Sequence, residues 1–437
     1  MAPPHPALEC RLPKDWAVST VDEIKSPEKH SCVAGPFGSS ISSKYFTESG
    51  VPVIRGGNLT GGTSGFVDDG FVFVSPEQAE QYKAQTVVPD DLVFTCWGTI
   101  GQVGIIPRTA KFPKYVISNK QLKLRVDPTR MIPRFAYFHF SSPFMVKHIQ
   151  NRAIGAAVPG INLGILKALP VVVPPLETQR RIAGILSAYD DLIEVNQRRI
   201  AILEEMARRL FEEWFVHFRY PGSEDVDQGL PDPWETGALS TLCAYINRGI
   251  APAYVDEGGT PVINQKCIRN KRLDLNLARF QSKSPPADKL IQCGDVLINS
   301  TGVGTLGRVA QVFEVPEGAT VDTHVTIARP APGVDHTFFG ALLLSLESDF
   351  ERMGEGSTGQ TELGRARIGG QTVLVPPTDL MARYGQIVTP MRSLSHTLQR
   401  ANARLRAARD LLLPKLISGE IDVSAAPAPN DVARDAA

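Results

Sequence analysis

Two stretches of the chain place apolar residues at alternating steps of four and three. In the first, Ile182, Leu186, Tyr189, Ile193, Asn196, Ile200, Leu203, Ala207, Leu210 and Trp214 fall on one line. In the second, Leu380, Tyr384, Ile387, Met391, Leu394, Leu398, Ala401, Leu405, Ala408 and Leu412 do the same. That spacing keeps one stripe of a helix turned toward a partner, and its persistence predicts a coiled coil rather than an isolated amphipathic helix. Two seams of equal length in one chain predict that the helices pair with each other. Asn196 occupies a seam position, where a polar group fixes register and orientation. Pro390 lies off the seam and predicts a kink in the N-terminal third of the second helix.

Outside these stretches the pattern changes. Short β-type runs, Val51–Ile54, Asp91–Thr95, Val103–Ile106 and Gln121–Val126, are punctuated by Gly and Pro and predict mixed domains rich in short strands. The chain also repeats itself. Leu12-Pro13-Lys14-Asp15-Trp16 matches Leu230-Pro231-Asp232-Pro233-Trp234 at an offset of 218. Tyr45 to Ile54 matches Tyr254 to Ile263 at 209, Gly98 to Val103 matches Gly304 to Val309 at 206, and Val173-Pro174-Pro175 matches Val375-Pro376-Pro377 at 202. The matches keep their order, and the offset drifts as loop insertions would make it drift. The predicted organisation is a first domain over 1–172, a helix over 173–218, a second domain over 219–374, a helix over 375–415, and a tail over 416–437 that is disordered at its end. The fold class is α+β, with an internal repeat of two mixed domains separated by two long antiparallel helices.

Composition narrows the chemistry. The chain has 437 residues, 43% hydrophobic and 21% charged, which is ordinary for a globular protein of two or three cores. It lacks an apolar run of the length a membrane span needs and a signal-peptide core at its start, so the expected location is the cytoplasm, with no membrane partner. The six cysteines (Cys10, Cys32, Cys96, Cys243, Cys267, Cys293) form no CxxC pair, which argues against a zinc site and a disulfide framework. Lys plus Arg and Asp plus Glu each number 46, so any affinity for nucleic acid must come from local patches or from partner subunits.

Several motifs imitate catalytic ones. Gly302-Val303-Gly304-Thr305-Leu306-Gly307 spells GxGxxG, but the strand-like Arg308 to Phe313 follows where a dinucleotide site needs a helix, so a tight loop is predicted. Val-Val-Pro-Pro-Leu at 172–176 and Val-Pro-Pro-Thr at 375–378 resemble part of the (N/D)PP(Y/F) motif of amino-methyltransferases. They lack the Asn or Asp and the aromatic, and read instead as prolines between a strand and a helix. There is no Walker A motif and no HExxH spacing. No catalytic and no metal-binding residue is assigned.

The stretch Pro174-Pro175-Leu176-Glu177-Thr178-Gln179-Arg180-Arg181-Ile182-Ala183-Gly184-Ile185-Leu186, with Asp190-Asp191-Leu192-Ile193 and Leu203-Glu204-Glu205, resembles the specificity subunit of type I restriction–modification systems. So do Phe211 to Val216, the ending Pro414 to Val423, the Leu-Pro-x-x-Trp openings and the Gly-Thr-Ile-Gly loop, and the resemblance runs from about Leu12 to Val423. The second helix departs from it, since Thr378-Asp379-Leu380-Met381-Ala382-Arg383 replaces the usual Glu-Gln-x-x-Ile stretch. The resemblance implies a non-catalytic DNA-recognition subunit. Each domain would be a target-recognition domain reading one half of a split site in double-stranded DNA, with the helices spacing the two. Two modification subunits would carry S-adenosylmethionine, and restriction (motor–nuclease) subunits would use ATP and Mg; no cofactor is expected on this chain itself. The competing readings are a fragment of a fused type II-like restriction–methyltransferase, against which the missing motifs speak, and a degenerate scaffold or regulator without DNA specificity of its own, which the zero net charge favours.

Base edges are read by polar side chains on loops. After the shared Pro-Val-Ile the copies diverge, Arg55-Gly56-Gly57-Asn58 against Asn264-Gln265-Lys266-Cys267, and again at Ser118-Asn119-Lys120-Gln121 against Asp322-Thr323-His324-Val325. The candidate DNA-binding residues are therefore Lys44, Arg55, Asn58, Asn119, Lys120 and Gln121 in the first domain, and Asn264, Gln265, Lys266, Thr323 and His324 in the second.

Overall fold

The computed structural model describes residues 12–59, 63–155, 159–223, 230–354 and 362–426. Cys10 and the 427–437 part of the expected tail lie outside these residues. The chain divides into two compact units, one of residues 1–198 with 400–437 and one of 199–399. The sequence pattern separates domains from helices, whereas in the folded chain each unit combines one domain with a segment of each long helix.

The first unit holds strands β1 (Ala17–Thr20), β2 (Cys32–Ala34), β3 (Val51–Ile54), β4 (Val72–Val74), β5 (Thr86–Val87), β6 (Leu92–Thr95), β7 (Val103–Ile105), β8 (Tyr115–Ile117), β9 (Gln121–Leu124) and β10 (Pro170–Val173). One sheet has the order β2-β9-β6-β7 and is antiparallel. The other runs β4-β3-β8-β5, with β3 and β8 parallel. β1 pairs with β10, the strand that ends in the Val-Pro-Pro element. Buried Phe94, Phe135 and Phe140 join Leu92, Leu122 and Leu124 in the main core, which also takes in Ile182, Leu186, Leu413, Leu416 and Ile417 of the long helices.

The second unit repeats this plan with β11 (Glu235–Ala238), β12 (Cys243–Arg248), β13 (Tyr254–Val255), β14 (Thr260–Ile263), β15 (Ile268–Arg269), β16 (Arg272–Leu273), β17 (Arg279–Gln281), β18 (Val296–Asn299), β19 (Val309–Gln311), β20 (Thr320–Val321), β21 (Val325–Pro330) and β22 (Thr372–Val375). Its sheets run β12-β21-β18-β19 and β13-β17-β14-β20, with β14 and β20 parallel, and β11 pairs with β22. The β15-β16 hairpin has no counterpart strand pair among the described residues of the first unit. The GxGxxG segment joins antiparallel β18 and β19, with Gly302, Gly304 and Gly307 all at positive φ, so it is a turn and no helix follows it.

One ion pair recurs at the same place in both units. Asp91 accepts from Arg125 Nε at 2.7 Å and Nη2 at 2.8 Å, and Asp295 accepts from Arg329 Nε and Nη2, both at 2.8 Å. Each carboxylate is 1% exposed and also caps a turn, Asp91 through the Val88 amide and Asp295 through the Gln292 amide. A buried carboxylate is tolerated because the bidentate guanidinium and the turn amide satisfy both its oxygens.

The long helices are Leu176–Phe215 and Thr378–Ile417, and the second runs uninterrupted through Pro390. Within the first unit they pair antiparallel: Asn196 Nδ2 donates to Asn402 Oδ1 at 2.9 Å, and further along Asp190 accepts from Arg409 at 2.7 Å. Within the second unit Tyr384 donates its hydroxyl to the Ala207 carbonyl at 3.1 Å. The buried line of the second helix differs from the predicted seam. Val388, Ser395, Asn402 and Leu416 are buried, while Ile387 is 42% and Leu394 49% exposed. Leu380 and Tyr384 of the predicted seam are buried, but from Val388 onward the line lies one residue on, because Ser395, Asn402 and the half-buried Arg409 occupy it and a hydrophobic periodicity passes over them.

Gln179 explains one motif residue at the start of the first helix. Fully buried, it donates to the Pro174 and Arg130 carbonyls at 2.8 and 3.0 Å and accepts from the Ile132 amide at 2.8 Å. At the matching place in the second helix stands Met381, buried among Leu380, Tyr384 and Val388, so apolar packing replaces the hydrogen bonds. Residues 418–426 of the expected tail pack on the first unit, with Val423 in its core and Arg181 hydrogen-bonded to the Val423 carbonyl at 3.4 Å and to the Ser424 carbonyl at 2.5 Å.

Candidate nucleic-acid interface

In each unit a pair of parallel strands ends side by side, and the chain leaves both on the same edge. In the first, Ile54 of β3 lies opposite Ile117 of β8, and the Ser118 amide donates to the Ile54 carbonyl at 3.1 Å. In the second, Ile263 of β14 lies opposite Val321 of β20, and the Asp322 amide donates to the Ile263 carbonyl at 3.0 Å. Arg55 thus emerges beside Ser118–Lys120, and Asn264 beside Asp322–His324. A third connection joins each cluster. The Cys96 amide donates to the Lys120 carbonyl at 2.8 Å, and the Ser300 amide to the His324 carbonyl at 2.8 Å.

The candidate side chains separate into two groups. Arg55, Lys120, Lys266 and Thr323 are exposed and make no side-chain bond with a described residue. Asn119 is exposed and donates to the Gly38 carbonyl at 3.1 Å, which leaves its oxygen to accept. Exposed His324 shares a 2.8 Å bond between Nδ1 and Thr301 Oγ1, and Nε2 makes no bond with a described residue. Lys44 lies on the turn Ser43–Tyr45 with its ammonium 4.6 Å from the Tyr45 ring centroid.

Asn58, Gln121, Asn264 and Gln265 belong to the second group and are corrected here. Asn58 is 4% exposed; it accepts from the Arg55 amide at 2.9 Å and donates to the Val67 and Asp69 carbonyls at 3.2 and 2.8 Å. Gln121 is fully buried, its oxygen bonded to the Ser118 amide at 2.9 Å and to the Ser118 hydroxyl. Asn264 is 8% exposed and caps its own turn through the Lys266 amide at 2.9 Å. Gln265 is half-buried, its oxygen accepting from Thr305 Oγ1 at 2.8 Å. These amides hold the loops in shape through the bonds they make, although the buried Gln121 Nε2 finds no partner among the described residues. Burial also pushes the Asp322 carboxyl up, opposed by the His324 amide that donates to it.

The sequence reading missed three exposed apolar side chains here. Phe37 is 94% exposed, Trp97 43% and Val303 81%. Val303 lies in a two-residue insertion relative to the first unit, which also supplies the leading glycine of the GxGxxG segment. Burial pushes the Cys32 and Cys96 thiols up to about 11, and among the described residues no cluster of three His, Cys, Asp or Glu could hold a metal. No helix among the described residues is long and apolar enough to cross a membrane.

Fold and loop cluster together define a class: an internally repeated protein whose two sheet-rich units share a pair of long antiparallel helices. The fold matches the crystal structure of a type I restriction–modification system S subunit from M. genitalium, with a TM-score of 0.62 and 18% identity over 94% of this chain and 99% of that one. The family model for the type I restriction modification DNA specificity domain matches residues 13–205. The chain is 24% identical over 429 residues to the type I restriction enzyme MjaIX specificity subunit of Methanocaldococcus jannaschii, covering 94% of this chain and 95% of that protein. It is 22% identical over 386 residues to the HindI specificity subunit of Haemophilus influenzae, covering 70% and 81%. Over nearly its whole length the chain is similar to type I restriction enzyme specificity subunits, and its residues 13–205 match the specificity-domain model of that family.

Proposed function

We propose that this subunit reads a split site in double-stranded DNA, one half with each unit, and serves as the scaffold on which modification and restriction subunits assemble. The observation that carries the reading is the duplicated loop cluster: the same strand-end geometry presents Arg55, Asn119 and Lys120 in one unit and Lys266, Thr323 and His324 in the other. The framework is constant and the exposed residues differ, as two readers of different half-sites require. Arg and Lys pair with guanine edges and Asn with adenine, while Thr suits either.

The chain itself supplies no methyl transfer and no cleavage. S-adenosylmethionine belongs on two modification subunits, and ATP with Mg on the restriction subunits. The first long helix carries an outward line of apolar residues suited to such partners: Leu192, Val195, Ile202 and Met206 are between 40% and 59% exposed. Zero net charge implies that much of the phosphate neutralisation comes from the partners, so tight, salt-sensitive binding needs the assembled complex.

The test is methylome mapping of cells carrying Arg55→Ala. Arg55 is exposed and makes no side-chain bond with a described residue, so the variant folds; loss of a bidentate contact weakens discrimination at one base by about 1–3 kcal/mol. One half of the mapped site relaxes and the other stays. An unchanged site, or a change in both halves, overturns the assignment.

A further inference from the structure

Phe37 is a phenylalanine almost wholly in water, on a loop held in place at several points. The Gly35 amide donates to the Gln121 carbonyl at 2.9 Å, and a Cβ at Gly35 would stand 1.9 Å from the Ser118 carbonyl oxygen, so only glycine allows this approach. Beyond Phe37, the Gly38 carbonyl accepts from Asn119, the Phe37 carbonyl accepts from the Ser40 amide at 3.2 Å and from its hydroxyl, and the Ser40 carbonyl accepts from buried Tyr82. Gly38 turns the chain at a φ of 58°. Exposing an aromatic ring to water is unfavourable, and a floppy loop would fold it back onto apolar surface. Here the loop prevents that: Asn119, next to exposed Lys120 in the chain, bonds the residue that follows Phe37, so the loop bearing the ring is tied to the Ser118–Lys120 loop.

We propose that Phe37 is a wedge that enters the DNA between two stacked base pairs of the half-site read by the first unit. This rests on the DNA-reading assignment above. Apolar side chains used this way unstack one step and bend the duplex, and neighbouring cations hold the phosphates while the ring replaces the lost stacking. An apolar ring also suits a deformable step, so it selects sequence through the ease of unstacking rather than through a hydrogen bond.

The second unit is the internal contrast. Gly249, like Gly35, donates to the facing strand, here to the Val325 carbonyl at 3.2 Å, and a Cβ on it would meet the Val321 carbonyl oxygen at 1.8 Å. The residue two positions on is Ala251 in place of Phe37, and its carbonyl accepts from Lys283 at 2.7 Å. With no ring there, unstacking is confined to the first unit's half-site.

The experiment uses the subunit assembled with its modification subunits on duplexes of the mapped site, carrying 2-aminopurine at successive positions other than the methylated adenines. One step in the first half-site brightens, none does in the second, and Phe37→Ala abolishes the signal while weakening specific binding about 10- to 100-fold. Phe37→Leu retains part of both. The Tm of the free subunit stays unchanged in either variant, because the ring is exposed. Persistence of the signal in Phe37→Ala overturns the wedge, as does loss of assembly with the modification subunits in the absence of DNA, which would make Phe37 a protein contact. If Arg55→Ala still relaxes the first half-site, the wedge has failed alone; if Arg55→Ala also leaves the site unchanged, the DNA-reading assignment has failed with it.

Discussion

Asp190 joins three elements of the first unit, and removing it should loosen all three. Its carboxylate is wholly buried on the first long helix, accepting from Arg134 Nη2 at 2.8 Å and from Arg409 Nη1 at 2.7 Å. Arg134 comes from the helix Pro133–Ser141 and Arg409 from the second long helix. Burial pushes the carboxyl up, and the two guanidinium groups pull the other way. Removing one partner of a buried ion pair costs about 3–5 kcal/mol. Here the lower end applies, since the guanidinium groups are 26% and 22% exposed and keep other contacts: Arg409 with Asp410, and Arg134 over the Tyr137 and Phe138 rings. Asp190→Ala should therefore cost about 3 kcal/mol, a fall of about 1.5 M in the urea midpoint at a slope near 2 kcal/mol/M. Asp190→Asn keeps the shape and one acceptor and should cost about 1–2 kcal/mol. The neighbouring Asp191 is exposed, and Asp191→Ala should change stability by less than about 0.5 kcal/mol. Urea unfolding gives the magnitudes, and hydrogen exchange localises them to 133–141, 176–198 and 400–417. Equal, small effects of Asp190→Ala and Asp191→Ala would refute the reasoning.

Three further outcomes follow from the same structure. Asn196→Ala leaves the Asn402 oxygen without its donor, though its amide still reaches the Ile193 carbonyl, and should cost about 1–3 kcal/mol, whereas Asn196→Leu with Asn402→Leu should recover most of it in a double-mutant cycle; additive losses would show that the pair is not coupled. Arg329→Ala leaves Asp295 buried with its charge unmatched and should cost about 3–5 kcal/mol, and Arg125→Ala should cost less, because buried Lys123 still stands 3.9 Å from Asp91; urea unfolding reads both. Burial raises the Asp322 carboxyl above the ordinary 3.8, so the folded state holds this proton more tightly than the unfolded one, and its contribution to stability declines as pH rises through the raised value. Asp322→Asn removes that decline; its Tm relative to the parent should be higher at neutral pH and converge on the parent in acid, and a gap that widens toward acid would contradict this.

Much of the candidate interface was legible because it is duplicated. Aligning the repeats pointed to the divergent loops, and Arg55, Asn119, Lys120, Lys266, Thr323 and His324 do lie exposed at the paired strand ends. Asn58, Gln121, Asn264 and Gln265 carry the same hydrogen-bonding groups, and sequence does not tell a side chain that reaches outward from one that braces its own turn. Phe37 is not legible as a contact in the sequence, because base edges are read by polar groups and an apolar residue in sequence reads as core.

The recurrence of the domains, the strand–helix junctions at Val-Pro-Pro and the two long helices were settled by the sequence alone, because each depends on local periodicity or on proline and glycine geometry that no distant contact overrides. The paired Asp91–Arg125 and Asp295–Arg329 were discoverable in the same way, at a shared offset of 204, once charged residues were compared along with apolar ones. Only the tertiary structure decided the face of the second helix. Its buried line runs through Ser395, Asn402 and Arg409, which become interior residues because Asn196 and Asp190 stand opposite the last two. A polar residue belongs to a core only if its partner is there to bond it, and that partner lies about two hundred residues away along the chain, where pattern along the sequence carries no information about it.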